Sequence, residues 1–232
     1  MCIRDSAAPS EAVAIHRVAA PAAIMVRDLA DFEALLADKR RNAVLLGPGN
    51  GADAACRARI ESVRRAGRAC VLDADALAVL APFDMRLTTA FVLTPHDGEF
   101  ARMFPDLAGR DRLTRAREAA ARSGAVVLLK GADTVVAHPD GRASIADNAP
   151  PWLATAGAGD VLAGAVAALL AQGMESFLAA SAAVWVHGQA AATLGPSLIA
   201  DDLARAIARE IAGFVLGVFA PPKNSDEFTA RR

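Results

Sequence analysis

The sequence predicts an α/β fold built on a mostly parallel sheet, and three observations carry that prediction. Short apolar runs at 44–46, 69–72, 91–93 and 126–129 each end at a polar, Gly or Pro turn, as buried strands do. Longer Ala-, Arg- and Leu-rich segments with helical periodicity, at 52–65 and 113–122, lie between them, and others follow at 160–170, 177–194 and 201–216. The residues with chemical character sit just after the apolar runs, at the strand ends where such sheets bind ligands.

Taken in order, the run 44–46 enters Gly47-Pro48-Gly49-Asn50-Gly51. This is neither GxGxxG nor a Walker loop. It suits a tight strand-to-helix turn or a close backbone approach to a ligand. The run 69–72 enters Asp73-Ala74-Asp75, a carboxylate pair that suits water-mediated Mg²⁺ or the capping of nearby backbone groups. The run 91–93 enters Thr94-Pro95-His96-Asp97-Gly98-Glu99. His96 suits a hydrogen bond to substrate. Glu99 suits a helix cap or a metal held through water. Direct metal ligation by His96 is disfavoured, because no second His or Cys lies at ligand spacing.

The run 126–129 enters Lys130-Gly131-Ala132-Asp133-Thr134. Lysine is rare here, three against 22 arginines, so one at a strand end draws notice as a point charge for phosphate. Its bland alternative is a solvated strand end. The Thr134 hydroxyl is a candidate donor to the same nucleotide. Residues 134–137 and 142–146 then read as an antiparallel hairpin turning at 139–141.

The sharpest segment is 153–164, LATAGAGDVLAG. A Gly-rich turn feeding a helix N-terminus offers backbone N–H groups and the positive end of the helix dipole, an anion site. Asp160, in that first turn, is either a helix cap or a general base aimed at a hydroxyl. The glycines favour the second reading, since a cap does not need three of them. His187 reads as a core histidine, and Trp152 and Trp185 as core or pocket wall.

Composition excludes other classes. At 232 residues, with 54% apolar and 22% charged, the chain has the make-up of one globular domain, expected over 1–220 with a polar tail at 221–232. A net charge of −1 argues against a nucleic-acid surface, and the absence of Tyr against a base-stacking platform. Three cysteines without a CxxC fit a reducing compartment. The longest apolar stretches, 161–171 and 177–186, are short for a membrane span, and no secretory leader is evident. A soluble cytoplasmic protein is expected. Residues 1–6 match nothing that follows and read as non-native. Only about forty residues precede the first glycine motif, so an N-terminally truncated domain is expected.

Five motifs in this order, GPGNG, VLDADAL, LTPHDGEF, LLKGADTVVAHPDG and LATAGAGDVLAGAVAALLAQG, resemble the ADP-dependent NAD(P)H-hydrate dehydratases of the ribokinase-like superfamily, over roughly 44–203. The resemblance implies a ribokinase-like three-layer αβα fold with a mostly parallel central sheet and the hairpin near 134–146. It implies repair of hydrated NADH and NADPH: a nucleotide phosphorylates the ring hydroxyl, and phosphate loss restores the double bond. Carried onto these positions, Asp160 would be the base and touch substrate, and Gly157, Ala158 and Gly159 would form the anion hole. Lys130, Gly131, Ala132, Asp133 and Thr134, with Gly159, would hold the nucleotide. Gly51 and His96 would contact the hydrated dinucleotide. The implied cofactors are Mg²⁺ and ADP or ATP as co-substrate, with no dedicated protein metal site. The implied partners are an NAD(P)H-hydrate epimerase, often fused, and further copies of the chain, such as a homotetramer.

The chain departs from the family pattern in three places. Asp97 stands where the usual motif reads His-Pro-Gly-Glu. Asn50 stands where it reads Gly-Pro-Gly-Leu-Gly, and residues 148–152 replace the usual Thr-Gly-Asn-Pro. The family's opening strand and helix, with their glycine-rich substrate segment, have no counterpart in the sequence. Two alternatives stand beside the dehydratase. One is a ribokinase-like kinase of a vitamin alcohol, and the other an inactive nucleotide-binding fragment.

Overall fold

Apolar runs of three or four residues, closed by glycine or proline, are too short for stable helices and pair as strands instead. The computed structural model describes residues 4–215. Its elements run β1 (Asp5–Ala8), α1 (Val13–Ala19), β2 (Met25–Asp28), α2 (Phe32–Ala37), β3 (Ala43–Leu46), α3 (Ala54–Arg65), β4 (Ala69–Leu72), α4 (Ala74–Ala78) and β5 (Phe91–Leu93). There follow α5 (Asp97–Met103), α6 (Arg112–Ser123), β6 (Val126–Leu129), β7 (Thr134–Ala137), β8 (Ala143–Ala146), α7 (Ala158–Ala171), α8 (Ser176–Leu194) and α9 (Ala200–Val215).

The main sheet has the order β3-β4-β5-β6-β7-β8. The first four strands are parallel and the last two antiparallel. Each parallel crossover steps one place in the same direction, and crossovers are right-handed. Helices α3 to α6 therefore share one face. Along each strand alternate side chains point to opposite faces. Leu72, Leu93, Val127 and Leu129 pack with Ile60, Phe100 and Ala116 of that helix layer. Val71, Val92, Val126 and Leu128 pack with Leu162 and Val166 of α7 and Ala180 of α8. Both faces are covered, which is why the strands read as continuous apolar runs rather than alternating ones. The expected three-layer α/β sheet and hairpin are present. The hairpin turns where expected, with Gly141 at φ +95° and the His138 N–H donating to the Arg142 carbonyl at 2.9 Å.

Helix α8 is 19 residues, long and apolar enough to cross a membrane by length and composition alone. Over half of its apolar window is buried against the sheet and neighbouring helices, which accounts for that apolarity. Helix α9 packs on α7 and α8 through Leu203, Ala206 and Ile207.

The segment before the first glycine motif carries β1, α1, β2 and α2. Residues 5–8 pair in parallel with β2 in a separate two-stranded sheet. Asp5 ties this sheet to Arg41, just ahead of β3. Its four-residue strands carry no long apolar run, so the sequence pattern did not reveal them. The start of residues 1–6 and the tail at 221–232 lie outside the described residues.

Candidate active site

The carboxyl ends of β3, β4, β5 and β6 carry Gly47, Asp73, Thr94 and Lys130, and the N-terminus of α7 faces them. Backbone geometry at β3 comes first. Gly47 has φ +135°, and a Cβ there would overlap the Asp73 carbonyl, so only glycine lets the two strand ends approach. Its close partner is protein backbone, so at Gly47 the glycine serves the turn itself. Asn50 closes that turn twice, accepting from the Gly47 N–H at 3.2 Å and donating its own N–H to the Gly47 carbonyl at 2.9 Å. Gly51 lies beyond, exposed, at φ +74°, with its N–H donated to the Asp75 carboxylate at 2.9 Å.

The two carboxylates of β4's exit are thereby separated. Asp75 serves Gly51, while Asp73, 2% exposed, receives the Lys130 ammonium at 2.8 Å. Each carboxylate is thus held by a protein donor, and at Asp75 this matches the capping alternative. A buried charge is tolerated only when it is paired, and this pair satisfies both members. Glu99 stands 3.8 Å from the same ammonium, so Lys130 lies between two carboxylates.

His96 is the N-cap of α5. Its Nδ1 accepts from the Gly98 and Glu99 N–H groups, and the Glu99 carboxylate accepts the His96 N–H at 2.8 Å. This is a capping box with histidine in the place usually taken by Ser or Thr. Two donors fix Nδ1 as an acceptor, so the neutral ring carries its proton on Nε2, which lies 3.6 Å from the Glu99 carboxylate on a side chain 56% exposed. Glu99 is the reciprocal partner of that cap.

Residues 130–134 form a tight loop. The Lys130 N–H donates to the Pro95 carbonyl at 2.8 Å, which holds Lys130 beside His96. The buried Thr134 hydroxyl donates to the Gly131 carbonyl at 3.0 Å and accepts from its N–H at 3.2 Å. A hydroxyl has one proton. Thr134 therefore shapes the loop, with its proton directed to the Gly131 carbonyl. Gly131, Ala132 and Asp133 are exposed along the rim.

Helix α7 begins with Gly157 at φ +83°, a conformation costly for other residues. Gly159 follows at a point where a Cβ would lie 3.5 Å from the Lys130 Nζ. The two sharpest motifs of the sequence, the lysine loop and the glycine turn, thus meet in space. The first-turn N–H groups and the ammonium are the donors at this point, the ammonium being paired with Asp73 and near Glu99. Of the three expected hole residues, Ala158 turns its N–H to the Thr155 carbonyl at 3.3 Å. Asp160 is exposed in the same turn.

His187 of α8 is 5% exposed and bonded to the backbone of Ala158. Burial pushes its imidazole down to about 4, against the pull of that hydrogen bond, so it is neutral at physiological pH. The core reading holds, yet the residue also steadies the glycine turn. Trp152 likewise ties the approach to α7 by donating to the Ala191 carbonyl at 3.0 Å. Sequence reasoning missed His187 at this turn and the Asp73 salt bridge. Only Asp73 had a signal, its place at a strand end.

A family model described as NAD(P)H-hydrate dehydratase matches residues 6–212. The chain is 47% identical over 153 residues to the bifunctional NAD(P)H-hydrate repair enzyme Nnr of Gloeobacter violaceus, covering 64% of this chain and 30% of that protein. It spans about a third of the length of such curated relatives. The crystal structure of an ADP/ATP-dependent NAD(P)H-hydrate dehydratase from Bacillus subtilis, co-crystallised with ATP/Mg²⁺, superposes with a TM-score of 0.69 at 28% identity, covering 82% of this chain and 72% of that one. A ribokinase-like superfamily protein of Enterococcus faecalis shares the fold, with a TM-score of 0.78 at 22% identity over 91% of this chain and 77% of that one.

Proposed function

Because this chain belongs to the NAD(P)H-hydrate dehydratase family, we propose that it returns hydrated NADH and NADPH to their reduced forms, with ADP or ATP as phosphoryl donor. One observation supports this above the others: Lys130 lies against Gly159, one residue before Asp160. A phosphate-binding charge, a helix N-terminus and a carboxylate are thus within one turn of each other.

In this reading the terminal phosphates lie between the α7 N-terminus and the 130–134 loop. Asp160 takes the proton of the ring hydroxyl. The hydroxyl oxygen forms a bond to the terminal phosphorus, and the phosphoanhydride bond breaks, releasing AMP when ADP is the donor. The carbon–oxygen bond then breaks with loss of phosphate, and a proton leaves the neighbouring ring carbon as the double bond forms. Overall, hydrate and ADP give reduced dinucleotide, AMP and phosphate. The protein contributes position and charge, as in phosphoryl transfer generally. His96 presents its Nε2–H, and Gly51 its backbone, on the dinucleotide side.

Mg²⁺ fits this site as a companion of the nucleotide. Among the described residues no three His, Cys, Asp or Glu side chains gather around a point. Mg²⁺ prefers phosphate oxygens and water to an all-protein cage, and there it neutralises phosphate charge. The bifunctional relative supports pairing this activity with a hydrate epimerase.

The test is a mixture of purified chain, Mg²⁺, ADP and hydrated NADH, followed in the near-ultraviolet band of reduced nicotinamide. ATP and a vitamin alcohol are run in parallel. A nucleotide-dependent rise is expected. Nucleotide consumption with the alcohol alone would overturn the proposal.

A further inference from the structure

Arg112, the first residue of α6, joins two sides of the site that the sheet alone would leave independent. Its guanidinium is 17% exposed and uses each of its nitrogens. Nη1 donates to both Asp97 oxygens, at 3.1 and 2.9 Å. Nε donates to the Asp133 carbonyl at 2.9 Å, and Nη2 donates to the Lys130 carbonyl. Asp97 follows His96 directly, so one side of the clasp is the residue that opens α5. The other side is the backbone on both flanks of Gly131. A Cβ at Gly131 would overlap the guanidinium, so that glycine leaves the space the clasp fills. Arg115 braces the arrangement, donating to Asp97 at 3.0 Å while its guanidinium lies over the Phe100 ring.

We propose that Arg112 is a positioning residue for the nucleotide: it fixes the 130–134 loop to the start of α5 and so sets where the Lys130 ammonium stands against the N-terminus of α7. This rests on the reading that the loop holds the nucleotide. The guanidinium is suited to the task because it is planar and carries five donors in a fixed fork. A lysine at 112 reaches one partner at a time and leaves the Lys130 or Asp133 carbonyl unbound. Asp97 acts through Arg112 by holding the fork in its plane.

The experiment measures ADP–Mg²⁺ binding by calorimetry for the wild-type chain, Arg112→Lys, Asp97→Asn and the double variant, with thermal unfolding alongside. Arg122→Lys is the control, because Arg122 sits on the same helix and pairs with Asp106 at 2.7 Å, away from the loop. Arg112→Lys is expected to weaken ADP binding about tenfold, the effect of one lost charged hydrogen bond. Asp97→Asn is expected to weaken it less, and the double variant to match Arg112→Lys alone, as for residues acting in one chain of contacts. In turnover, the KM for ADP is expected to rise more than kcat falls. Arg122→Lys is expected to leave ADP affinity unchanged. Equal ADP affinity in wild type and a folded Arg112→Lys variant would overturn this inference alone. A wild-type chain that does not bind ADP would overturn both the inference and the nucleotide reading beneath it.

Discussion

Replacing Lys130 by methionine should damage the protein in two separable ways. Asp73 is 2% exposed and the Lys130 side chain 19% exposed, with 2.8 Å between them. Breaking a buried pair by removing one member costs about 3–5 kcal/mol, because the other charge is left uncompensated. Lys130 keeps some contact with water, so the lower end, about 3 kcal/mol, is expected here. For a chain of this size each kcal/mol moves Tm by about 2–4 °C, so a fall of about 6–12 °C follows. Adding Asp73→Asn removes the stranded charge and should recover most of that loss. It should not recover ADP affinity, because the ammonium that faces Gly159 is gone in both variants. Thermal unfolding by circular dichroism and ADP titration by calorimetry read the two effects independently. A Lys130→Met variant that melts within about 2 °C of wild type would show that the pair is not the stabilising contact drawn here. A double variant that binds ADP like wild type would refute Lys130 as a phosphate-binding charge.

Three further outcomes follow from the same geometry. Asp160→Asn should lower turnover by about 10²–10⁴ while ADP affinity holds, since a general base acts in the chemical step; near-normal turnover counts against the assignment. Gly47→Ala should destabilise by more than about 2 kcal/mol, combining a disfavoured φ with overlap on Asp73, whereas Gly49→Ala, with open space around it, should cost only about 1 kcal/mol; equal urea midpoints would remove the argument from close approach. His187 has its imidazole pushed from 6.5 down to about 4. The unfolded chain therefore binds that proton first, and stability present above pH 6.5 is lost as pH falls towards 4. At about pH 5 the loss is roughly 2 kcal/mol, and His187→Asn should flatten that part of the profile relative to wild type in urea titrations; a parallel profile would exclude it.

The elements were legible where the pattern was local. The runs at 69–72, 91–93 and 126–129 are β4, β5 and β6 to the residue, because a strand buried on both faces must be apolar throughout. Helix α6 extends the expected 113–122 by one residue at each end, since Asp111 caps it and Gly124 at φ +76° ends it. The short strands β1 and β2 carry partly polar sequences with no such pattern and were not legible. At the site, the glycine turn and the lysine were each visible, and so was their resemblance to one family. Their meeting was not, and neither was the use of the Thr134 hydroxyl inside its own loop.

The sequence by itself determined the alternation of strands and helices, the glycine-rich turns between them, and which residues carry chemistry. Those properties depend on neighbours within a turn or two of chain. Only the tertiary structure decided which of those residues touch. Lys130 meets Asp73 across 57 residues of sequence, and Arg112 reaches back 15 to Asp97 and forward 18 to the Lys130 carbonyl. Such contacts are fixed by strand order and crossover hand, which place successive strand ends side by side at one edge of the sheet. A charge, a cap and a glycine become a site only when that order brings them within a hydrogen bond of one another.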